Sequence, residues 1–287
     1  MKLTFLGTGT SSGVPVIGCN CEVCKSTDTK NKRTRCSVLI TTNENKIILI
    51  DISPEFRIQA LRQNISKIDL ALITHAHADH FHGIDDLRSF CCISMKTNLE
   101  KDHLTPFPLY TNKTAVDDIK SRFNYLFKPV TEGGGHAFIK LNECTKPFNI
   151  GNTKIIPIPL KHGSLEDTGW LLEENGFSIA YLTDCNFISD EAINLIHNYC
   201  GNLTHLIIDG LRIKEHSTHF NFLQAMDAAA KIGGKNIWFT HLTHSSSHED
   251  VNSYIHEHIN EFPNLQAIIE NGGIISPAYD GLDLFSE

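Results

Sequence analysis

No apolar run in the 287-residue chain approaches the roughly 20 residues that a membrane-spanning helix needs. The opening Met1-Lys2-Leu3-Thr4-Phe5-Leu6-Gly7 has no sustained apolar stretch behind a basic start, so a secretory signal is not expected either. Basic charge is also short. Lys and Arg number 25 against 33 Asp and Glu, a formal charge of −8, which argues against a general binder of nucleic acid or anionic membrane while leaving room for a local basic pocket. The chain has no GxSxG elbow and no phosphate-cradling glycine loop, which removes serine-hydrolase and nucleotide-kinase readings. Low-complexity segments and strong repeats are missing as well.

What is abundant is histidine, sixteen residues beside only two tryptophans. The nine cysteines are an odd number, and Cys19, Cys21 and Cys24 crowd together at a spacing that suits a metal better than a framework of disulfides. The cytoplasm is the natural setting for such a chain.

Short runs rich in Ile, Leu and Val alternate with helix-like stretches, which predicts an α/β architecture in a single domain spanning 1–287. Strands are expected at Lys2 to Gly7, Ser37 to Thr41, Lys46 to Asp51, Asp69 to Thr74, Lys154 to Leu160, Ser178 to Thr183, His205 to Asp209, Asn236 to Thr240 and Ala267 to Ile269. Helices are expected at Pro54 to Gln63, Phe81 to Cys92, Thr114 to Phe123, Glu191 to Asn198, Asn221 to Ile232 and His248 to Glu261. Residues 95–152 are less regular, interrupted by Pro106, Pro108 and Gly133-Gly134-Gly135, and are the place for a substrate-covering insertion.

Asp51, His75, His162, Asp184, Asp209 and His241 each fall at or near the end of an apolar run. If those runs share a sheet rim, their polar side chains converge there. His75-Ala76-His77-Ala78-Asp79-His80 packs three imidazoles and a carboxylate into six residues, with small alanines leaving room for an ion. His75 and His77 can face one way, and Asp79 and His80 another. Zinc, iron and manganese accept this mixture of ligands.

HxHxDH after a strand, followed by strand-end His162, Asp184 and His241, resembles the signature set of the metallo-β-lactamase superfamily. The resemblance implies an αββα sandwich, with two mixed sheets face to face and helices on the outer faces. It also implies that His75, His77 and His162 hold one divalent ion (Zn or Mn), that Asp79, His80 and His241 hold a second, and that Asp184 bridges them. A water acidified between two such ions attacks near neutral pH. Asp51, in LIDISPEF, is expected to orient a ligand histidine, or else to cap the helix that begins near Pro54.

Cys19, Cys21 and Cys24 lack one ligand for a closed tetrahedral structural zinc site, and His244, three residues past His241, is the candidate. With GTGTSSGVPVIGCNC, SPEFR, HGIDDLRSF and YLTDC, this knuckle resembles the subgroup of phosphoribosyl cyclic phosphate phosphodiesterases. That resemblance implies a general acid at His219 in EHSTHFNF, with His216 the runner-up. His219, Asp79 and Asp184 are thus the residues expected to act in catalysis. The expected partner is a small phosphate ester, cyclic esters included, rather than nucleic acid or membrane, and a homodimer is compatible with the sequence.

The alternatives are an RNA-processing nuclease, a non-catalytic accessory protein resembling the pyrroloquinoline quinone biosynthesis member, and a β-lactamase or thioesterase. Arg88 could reach a phosphate or simply lie on an exposed helix. Gly133 to Gly135 with His136 form either a lid or a plain loop. Cys36, Cys91, Cys92, Cys144, Cys185 and Cys200 are expected to be small buried hydrophobes.

Overall fold

A computed structural model describes residues 1–94, 105–129 and 135–285. The strands are β1 (Lys2–Gly7), β2 (Ser37–Thr41), β3 (Ile47–Ile50), β4 (Leu70–Leu72), β5 (Cys92–Ser94), β6 (Phe107–Thr111), β7 (Gly135–Ala137) and β8 (Ile139–Glu143). They continue with β9 (Phe148–Ile150), β10 (Thr153–His162), β11 (Leu165–Glu174), β12 (Phe177–Leu182), β13 (His205–Asp209), β14 (Asn236–Thr240), β15 (Ile274–Pro277) and β16 (Asp283–Phe285). One seven-stranded sheet runs β16-β1-β2-β3-β4-β6-β8 and the other β15-β14-β13-β12-β11-β10-β9, while β5 and β7 form a separate pair. Each large sheet is antiparallel on one side and parallel on the other, the change falling at β3/β4 and at β12/β13.

Strands apolar on both sides require cover on both faces. Side-chain alternation shows how it is supplied. Leu3, Phe5, Ile48, Ile50, Leu70 and Leu72 point into the space between the sheets, where they meet Trp170, Tyr181, Ile207 and Trp238 from the second sheet. Their neighbours Leu6, Leu49, Ala71 and Ile73 point outward, among residues of the helices Phe56–Arg62 and Lys113–Arg122. On the far side, Ala180, Leu182, Leu206, Ile208, Ile237 and Phe239 are covered by the helices Asp190–Tyr199, Phe222–Ile232, His248–His258 and Pro263–Glu270. The result is the αββα sandwich. Each such buried aliphatic or aromatic side chain contributes about 1.5–3 kcal/mol, and truncating Trp170 to alanine should cost about 3–5 kcal/mol.

Asn221 caps its helix through a reciprocal bond with Gln224, and Gly233 at φ 75° ends it, as the sequence pattern implies. Two expectations are corrected. Ala267–Ile269 is not a strand but lies in the helix Pro263–Glu270, opened by Pro263 and stopped at Asn271-Gly272-Gly273; the strand is the following Ile274–Pro277. A three-residue apolar run cannot distinguish the two. Phe81 to Cys92 is not one helix but three short pieces, Ala78–Phe81, the 3-10 turn Ile84–Leu87 and Arg88–Cys91. The break is at Gly83, whose N–H donates to the Ile52 carbonyl at 2.9 Å. A Cβ at Gly83 would sit 2.1 Å from the Ser53 carbonyl oxygen, so only glycine allows this approach. With Ile52 N–H donating to the His80 carbonyl at 2.7 Å, the contact clamps the loop after β3 to the HAHADH loop.

Within 95–152, β6 and β8 extend the first sheet and β9 edges the second, while residues 95–104 and 130–134, including Gly133 and Gly134, lie outside the described residues. Among the described residues no helix is long and apolar enough to cross a membrane.

Candidate metal centre

The rim that gathers the polar strand ends is built with unusual backbone. Asp51, Asp184 and His241, which follow β3, β12 and β14, have φ of 61°, 52° and 60°. Among the described residues, the other non-glycine cases are Asn45, Asn64 and Asn175, a residue type that tolerates this conformation. Strain of this kind costs of order 1–3 kcal/mol per residue and persists only where surrounding bonds enforce it. Here it turns each side chain back over the sheet edge.

His75, His77, His162 and Asp184 form one group, and Asp79, His80, Asp184 and His241 a second; within each group the potential ligand atoms all lie within 4.8 Å of one another. Asp184 belongs to both. Its Oδ2 is 3.7 Å from His75 Nε2 and 3.3 Å from His80 Nε2, and its Oδ1 is 3.3 Å from His241 Nε2. His162 Nδ1–H donates to the Thr218 carbonyl at 2.7 Å, which leaves Nε2 for the centre. Asp51 accepts from His80 Nδ1 at 2.7 Å and from Thr74 N–H at 2.9 Å, while the nearby helix has Glu55 at its N-cap position and no side-chain cap. It orients a histidine and does not cap the helix.

A divalent ion in each group fits this chain. His80 Nε2 and His241 Nε2 are buried nitrogens with no hydrogen-bond partner, a costly state unless something else engages them. Asp51, Asp79, Asp167 and Asp184 are buried together, at 0%, 7%, 3% and 2% exposure, an acidic excess that calls for cations. The titration pattern agrees. Burial opposes charge on His80, yet Asp184, Asp79 and Asp51 hold it well above the usual imidazole value. Burial would raise Asp184, yet His241 and His80 hold it well below the usual carboxylate range. The charge that the three carboxylates favour on His80 is the kind of charge an ion there would supply. Mixed imidazole and carboxylate donors suit zinc or manganese.

The cysteine knuckle closes on one nitrogen. His244 Nδ1 lies 3.3, 3.5 and 3.5 Å from the sulfurs of Cys19, Cys21 and Cys24, which are all unpaired thiols. The Cys24 backbone N–H and then His244 lower the Cys21 thiol to about 6, so it is poised as a thiolate. The turn carrying His244 rests on Arg33, a buried guanidinium that donates to the carbonyls of Thr243 at 2.6 Å and Ser246 at 3.2 Å.

His219 is buried beside both groups. Its ring stacks on His241 at 4.8 Å and meets His162 edge-on at 4.5 Å, and its Nδ1–H donates to Asp209. Burial works against charge on His219, but Asp209 outweighs it and holds the imidazole above its ordinary value. His216 is exposed, with its ring 5.1 Å from that of His219. Arg88 pairs with Asp85 on the surface. Cys36, Cys144, Cys185 and Cys200 are buried and Cys91 half-buried, and the side chain of Cys92 lies outside the described residues. His136 is half-buried in β7, its ring beside the Lys128 and Ala137 carbonyls.

Sequence reasoning missed Asp167, Thr74, Thr218 and Arg33. Asp167 lies in β11, which was not foreseen; Thr74 stands at the strand end next to His75, a signal that could have found it.

The family described as Beta-lactamase superfamily domain matches residues 46–242. A protein named octanoyltransferase from Porphyromonas gingivalis (strain ATCC BAA-308 / W83) is 36% identical over 279 residues, covering 96% of this chain and 53% of that protein. This chain thus spans about half the length of that curated relative. Among solved structures, a diphosphatase from the PhnP family is 35% identical with a TM-score of 0.79, covering 100% of this chain and 98% of that one. Zn(2+)-bound PqqB from Methylobacterium extorquens, 17% identical with a TM-score of 0.72 over 100% of both chains, shares the fold. The chain belongs to the beta-lactamase superfamily and has the metallo-β-lactamase fold.

Proposed function

We propose that this chain is a dinuclear metal-dependent phosphodiesterase acting on a small phosphate ester, cyclic esters included, in the cytoplasm. The observation that carries the reading is the shared carboxylate of Asp184, within 3.7 Å of His75 and His80 and 3.3 Å of His241, beside the buried His219. His75, His77, His162 and Asp184 would hold one divalent ion, and Asp79, His80, His241 and Asp184 the other, with Zn or Mn as candidates. Two cations bound there supply positive charge against phosphate oxygens and acidify a water enough for attack near neutral pH. A structural zinc would occupy the Cys19, Cys21, Cys24 and His244 knuckle.

The residues of the chain do the rest. His219, held as an N–H donor toward Asp209, turns its other nitrogen away from that carboxylate and can deliver a proton to the leaving oxygen. A cavity of about 280 Å³ lined by Thr10, Ser11, Ser12, Arg212 and Ser245 opens beside His219 and suits the polar remainder of a small ester. Arg212 is oriented there by donating to the Lys214 and Glu215 carbonyls, both at 3.3 Å. The 35% identical PhnP-family diphosphatase supports phosphoryl chemistry. The charge of −8 argues against a nucleic-acid substrate.

A second reading, attack on an octanoyl carbonyl, takes its support from the name of the 36% identical relative, about half of whose length this chain spans. A screen of zinc- or manganese-loaded protein against cyclic and linear phosphodiesters, octanoyl thioesters and lactams separates the two. Phosphodiester turnover is expected. Thioester or lactam cleavage without phosphodiester turnover would overturn the proposal.

A further inference from the structure

Thr74 stands between the two groups of the metal centre, fully buried at the end of the chain segment that leads into His75. Its backbone N–H donates to Asp51 Oδ1 at 2.9 Å. Its hydroxyl oxygen lies 3.1 Å from both Asp51 oxygens and 3.0 Å from His75 Nδ1. Asp51 Oδ2 in turn lies 2.7 Å from His80 Nδ1. Asp167 Oδ1 faces the same nitrogen of His75, but at 3.6 Å, beyond hydrogen-bond length.

Donor counting sets the direction of the bonds between Thr74, Asp51 and His75. A carboxylate only accepts, whereas a hydroxyl donates one proton and keeps lone pairs to accept with. The Thr74 proton therefore goes to Asp51, and the hydroxyl oxygen can only accept from His75, so His75 carries its proton on Nδ1. His80 likewise carries one on Nδ1, directed at Asp51. The Nε2 atoms of both rings then face the centre, that of His75 free to accept from His77 Nδ1 at 2.9 Å and pointing toward Asp184, that of His80 toward Asp79 and Asp184.

We infer that Thr74 is a positioning residue whose hydroxyl, through Asp51, sets the ring tautomer of one histidine in each group and so couples the two ion sites. The inference rests on the two-ion centre but not on which ester is hydrolysed. Without the hydroxyl, His75 Nδ1–H loses its acceptor, and the proton can move to Nε2, where an ion would bind. His80 keeps Asp51, but Asp51 loses one of the donors that fix its orientation.

The test measures ion affinity by competition with a chelator, using zinc as the probe, together with histidine nitrogen NMR on the protein freed of ions at the centre. Thr74→Val, which keeps the shape and removes the hydroxyl, should weaken zinc binding at both sites by roughly 10–100-fold. Thr74→Ser, which restores the hydroxyl, should stay within about 3-fold of wild type, and zinc at the cysteine knuckle should be unchanged in both. In the wild-type protein the NMR spectrum should show both rings protonated on Nδ1, a readout that needs no variant to fold. His75 found as its Nε2–H tautomer, unchanged affinity in Thr74→Val, an equal loss in Thr74→Ser, or weakening at one site alone would each overturn the inference. Failure of every phosphodiester to turn over would instead strike the proposed activity and leave this result standing.

Discussion

Asp209 Oδ2 accepts a hydrogen bond from His219 Nδ1 at 2.7 Å, and the same oxygen takes the Cys185 N–H at 3.0 Å. The second bond anchors the carboxylate to the loop after β12, the loop that also carries Asp184. The position of His219 is therefore tied to the centre it serves, and its tautomer is fixed by a carboxylate with 0% exposure.

If His219 protonates the leaving oxygen, its value depends on how badly that oxygen needs a proton. His219→Ala should lower kcat/KM about 10²–10⁴-fold on an alkyl phosphodiester and far less on a p-nitrophenyl ester, with the ion content of the centre unchanged. Asp209→Asn should show the same selectivity. Equal losses on both leaving groups would remove the acid role.

The knuckle is a separate unit with its own readout. Cys21→Ser should release about one zinc per chain while the ions of the histidine groups remain. Because ligand geometry is part of folding free energy, the variant should lose about 3 kcal/mol, a fall of about 5–10 °C in Tm. Retention of all the zinc, or an unchanged melting curve, would show that the three sulfurs hold no structural ion.

His205 gives a pH dependence away from the centre. Burial first, and then the charge of Lys235, lower its pKa from 6.5 to about 4, and its Nδ1 accepts the Trp238 indole N–H at 3.1 Å. The folded state therefore holds this imidazole neutral, while the unfolded chain protonates it near the ordinary value. The unfolded state binds more protons in that window, so stability is full above about pH 6.5 and is lost as pH falls toward about 4, by about 3 kcal/mol from this group. Denaturant unfolding of wild type and His205→Phe across that range checks the sign: the variant should show a shallower loss.

The architecture was legible where strands are apolar throughout. β1, β2, β13 and β14 fall on the expected residues because both faces of those strands are covered and the pattern is unbroken. β11 was not foreseen because Glu166, Asp167 and Glu174 interrupt it, yet Asp167 and Glu174 are buried. Their carboxylates face specific partners, the first beside His75 and the second accepting the Asn43 N–H, and no local pattern announces such partners. The convergence of the HAHADH segment with His162, Asp184 and His241 was readable because each falls where a strand ends. Thr218 and Arg33 were not, since a carbonyl and a buried guanidinium acquire meaning only from what the fold sets against them.

The number of ions per chain, counted in wild type and in Asp184→Ala, tests the two-ion centre most directly. The shared position of Asp184 predicts about three ions in wild type and about one, the knuckle zinc, in the variant. A single ion in wild type, or the same count in both proteins, would contradict a dinuclear hydrolytic centre.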